Sequence, residues 1–208
     1  LESDVLAEQP TQIAERFAMV PDCPICVPLG AHLSCGVVGK RARCVALGKN
    51  LIVQAAAHHS YCDLRIVVLC EQEETAQWEF CRWLPHCWDE GHTARLIANT
   101  PETIRALLER LEPVFSARAA AGQNAGLGAA PRAKPWYLFV CAAPETVTQH
   151  AFMKFLTANR RELGISVLYL FDRIDLLPEE CHDILDCREA VGVLFERRHA
   201  SRKQPFQP

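Results

Sequence analysis

Ser34-Cys-Gly-Val-Val-Gly-Lys-Arg41, running directly into Ala42-Arg-Cys-Val-Ala-Leu-Gly-Lys-Asn-Leu-Ile-Val-Gln-Ala-Ala-Ala-His-His59, decides how this chain is read. The first five residues are small or β-branched and suit a buried strand. Gly39 marks a turn, and residues 41–59 bring Val45, Ile52, Ala55 and Ala56 to one helical face, with Gly48 weakening the middle. Strand, tight turn and helix in that order make the first half of a β/α unit.

Working outward, strands are predicted over 25–29, 64–69, 94–98, 136–141, 165–171 and 190–195. Several are continuous apolar runs, which suit a sheet covered on both faces better than alternating text does. Thr100-Pro-Glu-Thr103 is a helix start, a hydroxyl N-cap followed by Pro at the first helical position, and Ile104, Leu107, Leu108 and Leu111 form the stripe behind it. A third helix is predicted over 146–163, ended by Gly164. The sum is an α/β fold with a mainly parallel sheet and helices on both faces.

Size and composition agree with one such core. The chain has 208 residues, half of them hydrophobic and 23% charged, which excludes a disordered or collagen-like polymer. No apolar run approaches the roughly 18 to 20 residues that span a bilayer. The organisation read from the text is a lead-in helix in residues 1–22, a single domain over 23–196, and a basic tail over 197–208. Within the domain, residues 119–135 are rich in Ala, Gly and Pro and read as a flexible surface loop. A chain that begins at Leu1 without a signal segment is expected to be a piece of a longer protein.

The net charge of −3 argues against a general nucleic-acid binder. The basic cluster of Arg197, Arg198, His199, Arg202 and Lys203 reads as a solvated tail. Eleven cysteines, an odd number mostly set in apolar text, favour reduced thiols used as small core residues. Cys23-Pro-Ile-Cys26 has a metal or redox spacing but lacks a second pair. Cys81 with His86 and Cys87, or Cys181 with His182 and Cys187, could complete a set of four only through the fold, so no metal site is assigned.

The chemistry of a phosphate loop needs glycines for a tight anion-cradling turn, a lysine for the terminal phosphates and a hydroxyl for magnesium. Gly39 and Lys40 fit that order. Ser34 stands where the first glycine belongs, and Arg41 stands where the magnesium hydroxyl belongs. Ser34, Gly39, Lys40 and Arg41 are therefore a degenerate nucleotide position, open to three readings: an ordinary strand-turn-helix, weak anion binding, or a working ATP site. The partner strand, Phe139-Val-Cys-Ala-Ala143, ends in small neutral residues where a magnesium-ordering acid is needed, while Glu71 and Asp172 follow other strands.

The most unusual text is Trp78-Glu-Phe-Cys-Arg-Trp-Leu-Pro-His-Cys-Trp88. Trp78 and Arg82 are four apart and could stack. The cluster is either internal packing or a patch in which Trp78, Arg82, Trp83 and Trp88 meet a protein partner.

Taken with Leu51-Ile-Val-Gln-Ala-Ala-Ala-His-His-Ser-Tyr-Cys-Asp-Leu-Arg-Ile-Val-Val-Leu69 and Ala94-Arg-Leu-Ile-Ala98, this segment resembles the membrane-proximal, ATPase-like domain of the FtsK/SpoIIIE-type coupling ATPases of type VII (ESX/WXG100) secretion systems, in its Firmicutes form. Val20 to Leu29, Leu163-Gly-Ile-Ser166 and Leu177-Pro-Glu-Glu-Cys181 look similar too. The resemblance implies a RecA-like fold with degenerate nucleotide motifs, placed after membrane helices and before tandem ATPase domains at the cytoplasmic face of a bacterial membrane. It implies membrane subunits of the secretion complex and the neighbouring ATPase domains as partners. It further implies a domain that is itself non-catalytic and without cofactor. The alternative is a weak but genuine ATP-binding and ATP-hydrolysing domain of the same motor, with Gly39 and Lys40 on phosphate and Asp172 on magnesium.

Overall fold

A computed structural model of the chain describes residues 5–16, 24–124, 133–199 and 203–207, with backbone alone at 5–9, 11 and 124. The helices are α1 (Val5–Arg16), α2 (Leu29–His32), α3 (Arg41–His58), α4 (Thr75–Trp78), α5 (Pro101–Asn124), α6 (Pro144–Thr148) and α7 (Met153–Leu156). The strands are β1 (Ser34–Gly39), β2 (Leu64–Leu69), β3 (Ile97–Ala98), β4 (Trp136–Cys141), β5 (Ile165–Leu170), β6 (Asp183–Cys187), β7 (Gly192–Glu196) and β8 (Gln204–Phe206). They form one sheet in the order β3-β2-β4-β5-β1-β6-β7-β8, parallel from β3 to β6 and antiparallel across the last two pairings.

Both faces of the sheet are covered, as the apolar runs require. Alternate residues divide between two cores: Val67, Leu69, Phe139 and Cys141 face the stripe of α5, with α6 and α7. Ile66, Val68, Leu138 and Val140 face α3 and Trp78. Three-layer packing of this kind puts the C-terminal ends of the parallel strands on one edge, where open α/β sheets bind ligands.

The start of α5 is as read, with the Thr103 amide donating to Thr100 Oγ1 and the Ile104 amide to the Thr100 carbonyl. Other readings are corrected. Residues 24–28 form no strand, because Pro24 and Pro28 remove two amide donors, and the chain enters α2 instead. The 146–163 helix is broken into α6, α7 and a short 3-10 turn, Arg161–Leu163, capped by Gly164 at φ 67°. Of the 94–98 strand, Ile97–Ala98 is regular.

The 119–135 loop shrinks from its start, since α5 continues to Asn124. The 197–208 tail is not simply solvated: residues 204–206 add β8 to the sheet edge, where the Phe206 ring packs against Gly192. The lead-in helix spans Val5–Arg16, so its expected end near Met19 and Pro21 lies outside the described residues, as do Cys23 and Arg202. No helix among the described residues is long and apolar enough to cross a membrane.

Candidate functional site

The candidate nucleotide position lies where β1 gives way to α3, and its backbone has little of a loop. β1 runs straight from Ser34 through Gly39, and one residue, Lys40, links it to α3. At roughly 3.3 Å per residue this puts Ser34 about 16 Å from Gly39, at the opposite edge of the sheet. Ser34 is buried there. Its Oγ accepts from the His182 amide at 3.1 Å and donates to the Glu180 carbonyl at 3.2 Å. The structure thus brings Gly39, Lys40 and Arg41 together and leaves Ser34 out.

Gly39 has a packing reason to be glycine. Its φ is +145°, and a Cβ there would sit 2.7 Å from the carbonyl carbon of Cys187 at the end of the neighbouring β6. Lys40 is exposed.

Arg41 turns back across the C-terminal edge of the sheet. Its Nε and Nη2 donate to the two carboxylate oxygens of Glu74, each at 2.5 Å. Nη1 donates to the Leu170 carbonyl at the end of β5, and Nη2 to the Ala142 carbonyl just past β4, both at 2.6 Å. Burial alone would lower the guanidinium's pKa, but the hydrogen bonds and charge of Glu74 outweigh it and raise it. A bidentate, partly buried pair of this kind holds two adjacent strand ends in place. Asp172 is exposed, with Oδ1 4.0 Å from Arg41 Nη1. The Glu71 carboxyl is raised by its own desolvation, opposed by Arg41.

Glu74 and the two carbonyl ends escaped the sequence reading. The acidic run Glu71-Gln-Glu-Glu74 just after β2 was the available signal, since an acid there reaches the strand edge.

The aromatic segment separates into inside and outside. Trp78 is 1% exposed and packs under α3, so it belongs to the core and not to a partner surface. It does not stack on Arg82, which pairs with Glu79 at 2.8 Å. Trp83 is 84% exposed, and Trp88 lies under the Arg95 guanidinium, 3.7 Å from its ring centroid.

Cys81 and Cys87 are within hydrogen-bond reach of each other, but among the described residues neither suspected thiol set gathers three ligand atoms. Cys181 precedes β6 and Cys187 ends it, while His86 Nε2 is engaged by the His59 carbonyl at 2.8 Å. Cys26 is exposed.

No family model matches the chain. It is 26% identical over 207 residues to the ESX secretion system protein EccC of Geobacillus thermodenitrificans, and 23% identical over 207 residues to the type VII secretion system protein EssC of Staphylococcus aureus. In each case the match covers 99% of this chain and 14% of the longer protein. Among solved structures, the cytoplasmic domain of the Thermomonospora curvata type VII secretion ATPase EccC superposes with a TM-score of 0.60 at 12% identity, over 89% of this chain and 24% of that one. ATPases 2 and 3 of EssC from Geobacillus thermodenitrificans give 0.60 at 9% identity, over 86% and 40%. The three-layer sheet and the whole-length similarity agree: the chain is homologous to a segment of the EccC/EssC type VII secretion ATPases and has their RecA-like fold.

Proposed function

We propose that this chain is a non-catalytic ATPase-like module of a type VII secretion motor, joining the motor's membrane assembly, on the cytoplasmic side, to ATPase domains elsewhere on the same protein. One observation carries the reading: Arg41 fills the place of the magnesium hydroxyl and hydrogen-bonds Glu74 and the carbonyl ends of β4 and β5. A phosphate at that edge would meet a single-residue link in place of a loop of free amides, and a magnesium ion would meet a guanidinium. Weak ATP binding through Gly39 and Lys40, with Asp172 on magnesium, is the second reading, favoured by the exposure of Lys40 and Asp172 at the same edge.

The thermal midpoint of the chain with and without about 1 mM Mg-ATP separates the two. A ligand at 100 times its Kd stabilises by about 2.7 kcal/mol, a rise of roughly 5 to 11 °C for a domain of this size. We expect no shift. A rise of that size, lost in Lys40→Ala, would establish the second reading and overturn the first.

Trp83 and Arg82, exposed on the segment after β2, are the side chains proposed to meet the secretion complex. In the full-length motor, Trp83→Ala is expected to weaken assembly while leaving the fold intact. Normal assembly and secretion by that variant would remove Trp83 from the partner surface.

A further inference from the structure

At the edge of the sheet opposite Arg41, two histidines and an aspartate from distant parts of the chain meet on one carboxylate. His32 ends α2, and its Nδ1 donates to Asp183 Oδ2 at 2.8 Å. His182 Nδ1 donates to Asp183 Oδ1 at 3.0 Å, and the two rings stack with centroids 4.0 Å apart. Asp183 is 3% exposed, whereas the histidines are part-exposed, with side chains at 30% and 37%. All three offer a ligand atom within a span of 4.8 Å.

We propose that His32, His182 and Asp183 bind one borderline divalent transition-metal ion of the zinc class, which fastens α2 to the start of β6. The distances are close to those required. Ligand atoms about 2.0 to 2.1 Å from one tetrahedral ion lie roughly 3.3 to 3.4 Å apart, so the two nitrogens, at 2.8 and 3.0 Å from the carboxylate oxygens, need to move outward by only a few tenths of an ångström. Two imidazoles and a carboxylate select zinc, nickel or cobalt over magnesium or calcium, which prefer all-oxygen shells. Among the described residues the buried carboxylate is met by imidazole N–H groups alone, and a cation in their place neutralises it. The part-exposed rings leave an entry path and room for water to complete the shell.

The backbone around the trio is already fixed. The Leu33 amide donates to the Leu29 carbonyl at 3.1 Å, with Leu33 at φ 68° turning the chain from α2 into β1. The His182 amide donates to Ser34 Oγ at 3.1 Å, and its carbonyl accepts from the Arg197 amide at 2.8 Å. The ion requires the two rings to part from their stack, which is a side-chain rotation and leaves those anchors in place. Because His32 and His182 are 150 residues apart in the chain, the bond would act as a cross-link between its early and late parts.

The test titrates the 208-residue chain with zinc and with cobalt after its accessible thiols have been alkylated, so that surface cysteines cannot supply the ligands. One equivalent of cobalt is expected to bind, with a visible spectrum of nitrogen and oxygen ligation and no thiolate-to-metal charge-transfer band. His32→Gln and His182→Gln, at part-exposed positions, should keep the wild-type circular dichroism and each lose at least tenfold in affinity. Asp183→Asn adds a third arm. Absence of saturable binding in the wild type would overturn the proposal and leave the trio a proton-sharing cluster. Unchanged affinity in both histidine variants would overturn it as well.

Discussion

At the residue scale, Gly39, Lys40 and Arg41 look alike to a motif and differ in physics. Gly39 answers to the backbone of Cys187 and to a positive φ, so its requirement is steric and needs no phosphate. Gly39→Ala is expected to destabilise the chain by about 2 kcal/mol or more, because neither the strained φ nor the contact with backbone atoms can relax cheaply. Lys40→Ala, at an exposed link, should change stability by less than about 0.5 kcal/mol. Urea unfolding of the two variants checks the pair. A Gly39→Ala protein of wild-type stability would show that the close approach to β6 is not what the glycine serves. Arg41 was legible as a bulky cation in a metal ligand's place, but its partner Glu74 lies 33 residues away and only the fold brings the two together.

At the element scale, the features easiest to read were those with one dominant cause. The runs at 64–69, 136–141 and 165–170 are buried throughout or nearly so, and their apolar text says so. β6 was missed because Asp183-Ile-Leu-Asp-Cys187 carries two acids. Asp183 is buried only because two histidines donate to it, and Asp186 is held by Arg188. His182 and Arg188 are near neighbours of the acids they hold, whereas His32 lies 151 residues from Asp183 and only the fold brings it there. The helix read over 146–163 failed for a different reason. Phe152, Phe155, Leu156 and Leu163 do keep one helical phase, but Val147 lies off that face and Asn159, at φ 49°, turns the chain out of helical geometry, so the segment divides into separate short turns.

α5 shows the converse, a helix that persists through an internal Pro113. Proline in a helix interior removes one backbone bond and costs about 3 kcal/mol. Pro113 is on the solvent side, two residues from the buried Leu111 and Phe115. Pro113→Ala should therefore restore that bond without loss of packing and raise the melting temperature by several degrees, at about 2 to 4 °C per kcal/mol. An unchanged or lower melting temperature, measured by calorimetry, would mean that α5 is shaped around its proline.

At the scale of the whole molecule, the cysteines are the common thread. Eight of the ten described thiols are buried, spread over both cores, and Cys26 and Cys62 are exposed. Burial pushes Cys44, Cys70 and Cys181 up to about 12, and Cys141 is raised by the same cause. Cys87 is raised by its hydrogen bond with Cys81 and by burial. In the unfolded chain these thiols return to the ordinary value of about 8.5. Between that value and about 12 the unfolded state has released protons that the folded state still holds, so rising pH favours unfolding. The thiol contribution is intact below about pH 8 and declines above it, by up to about 1.4 kcal/mol per pH unit for each such thiol. Under reducing conditions the melting temperature is therefore expected to fall by roughly 10 °C or more between pH 8 and pH 10. Replacing Cys70 and Cys181 together by Ala should flatten that slope while lowering the starting value, because two small core side chains are lost. A wild-type melting temperature that stays level across the interval would mean that the buried thiols do not govern the alkaline limit. An odd number of cysteines, unhelpful as a motif, thus becomes a property of the fold: they serve as apolar filling that holds only while it keeps its protons.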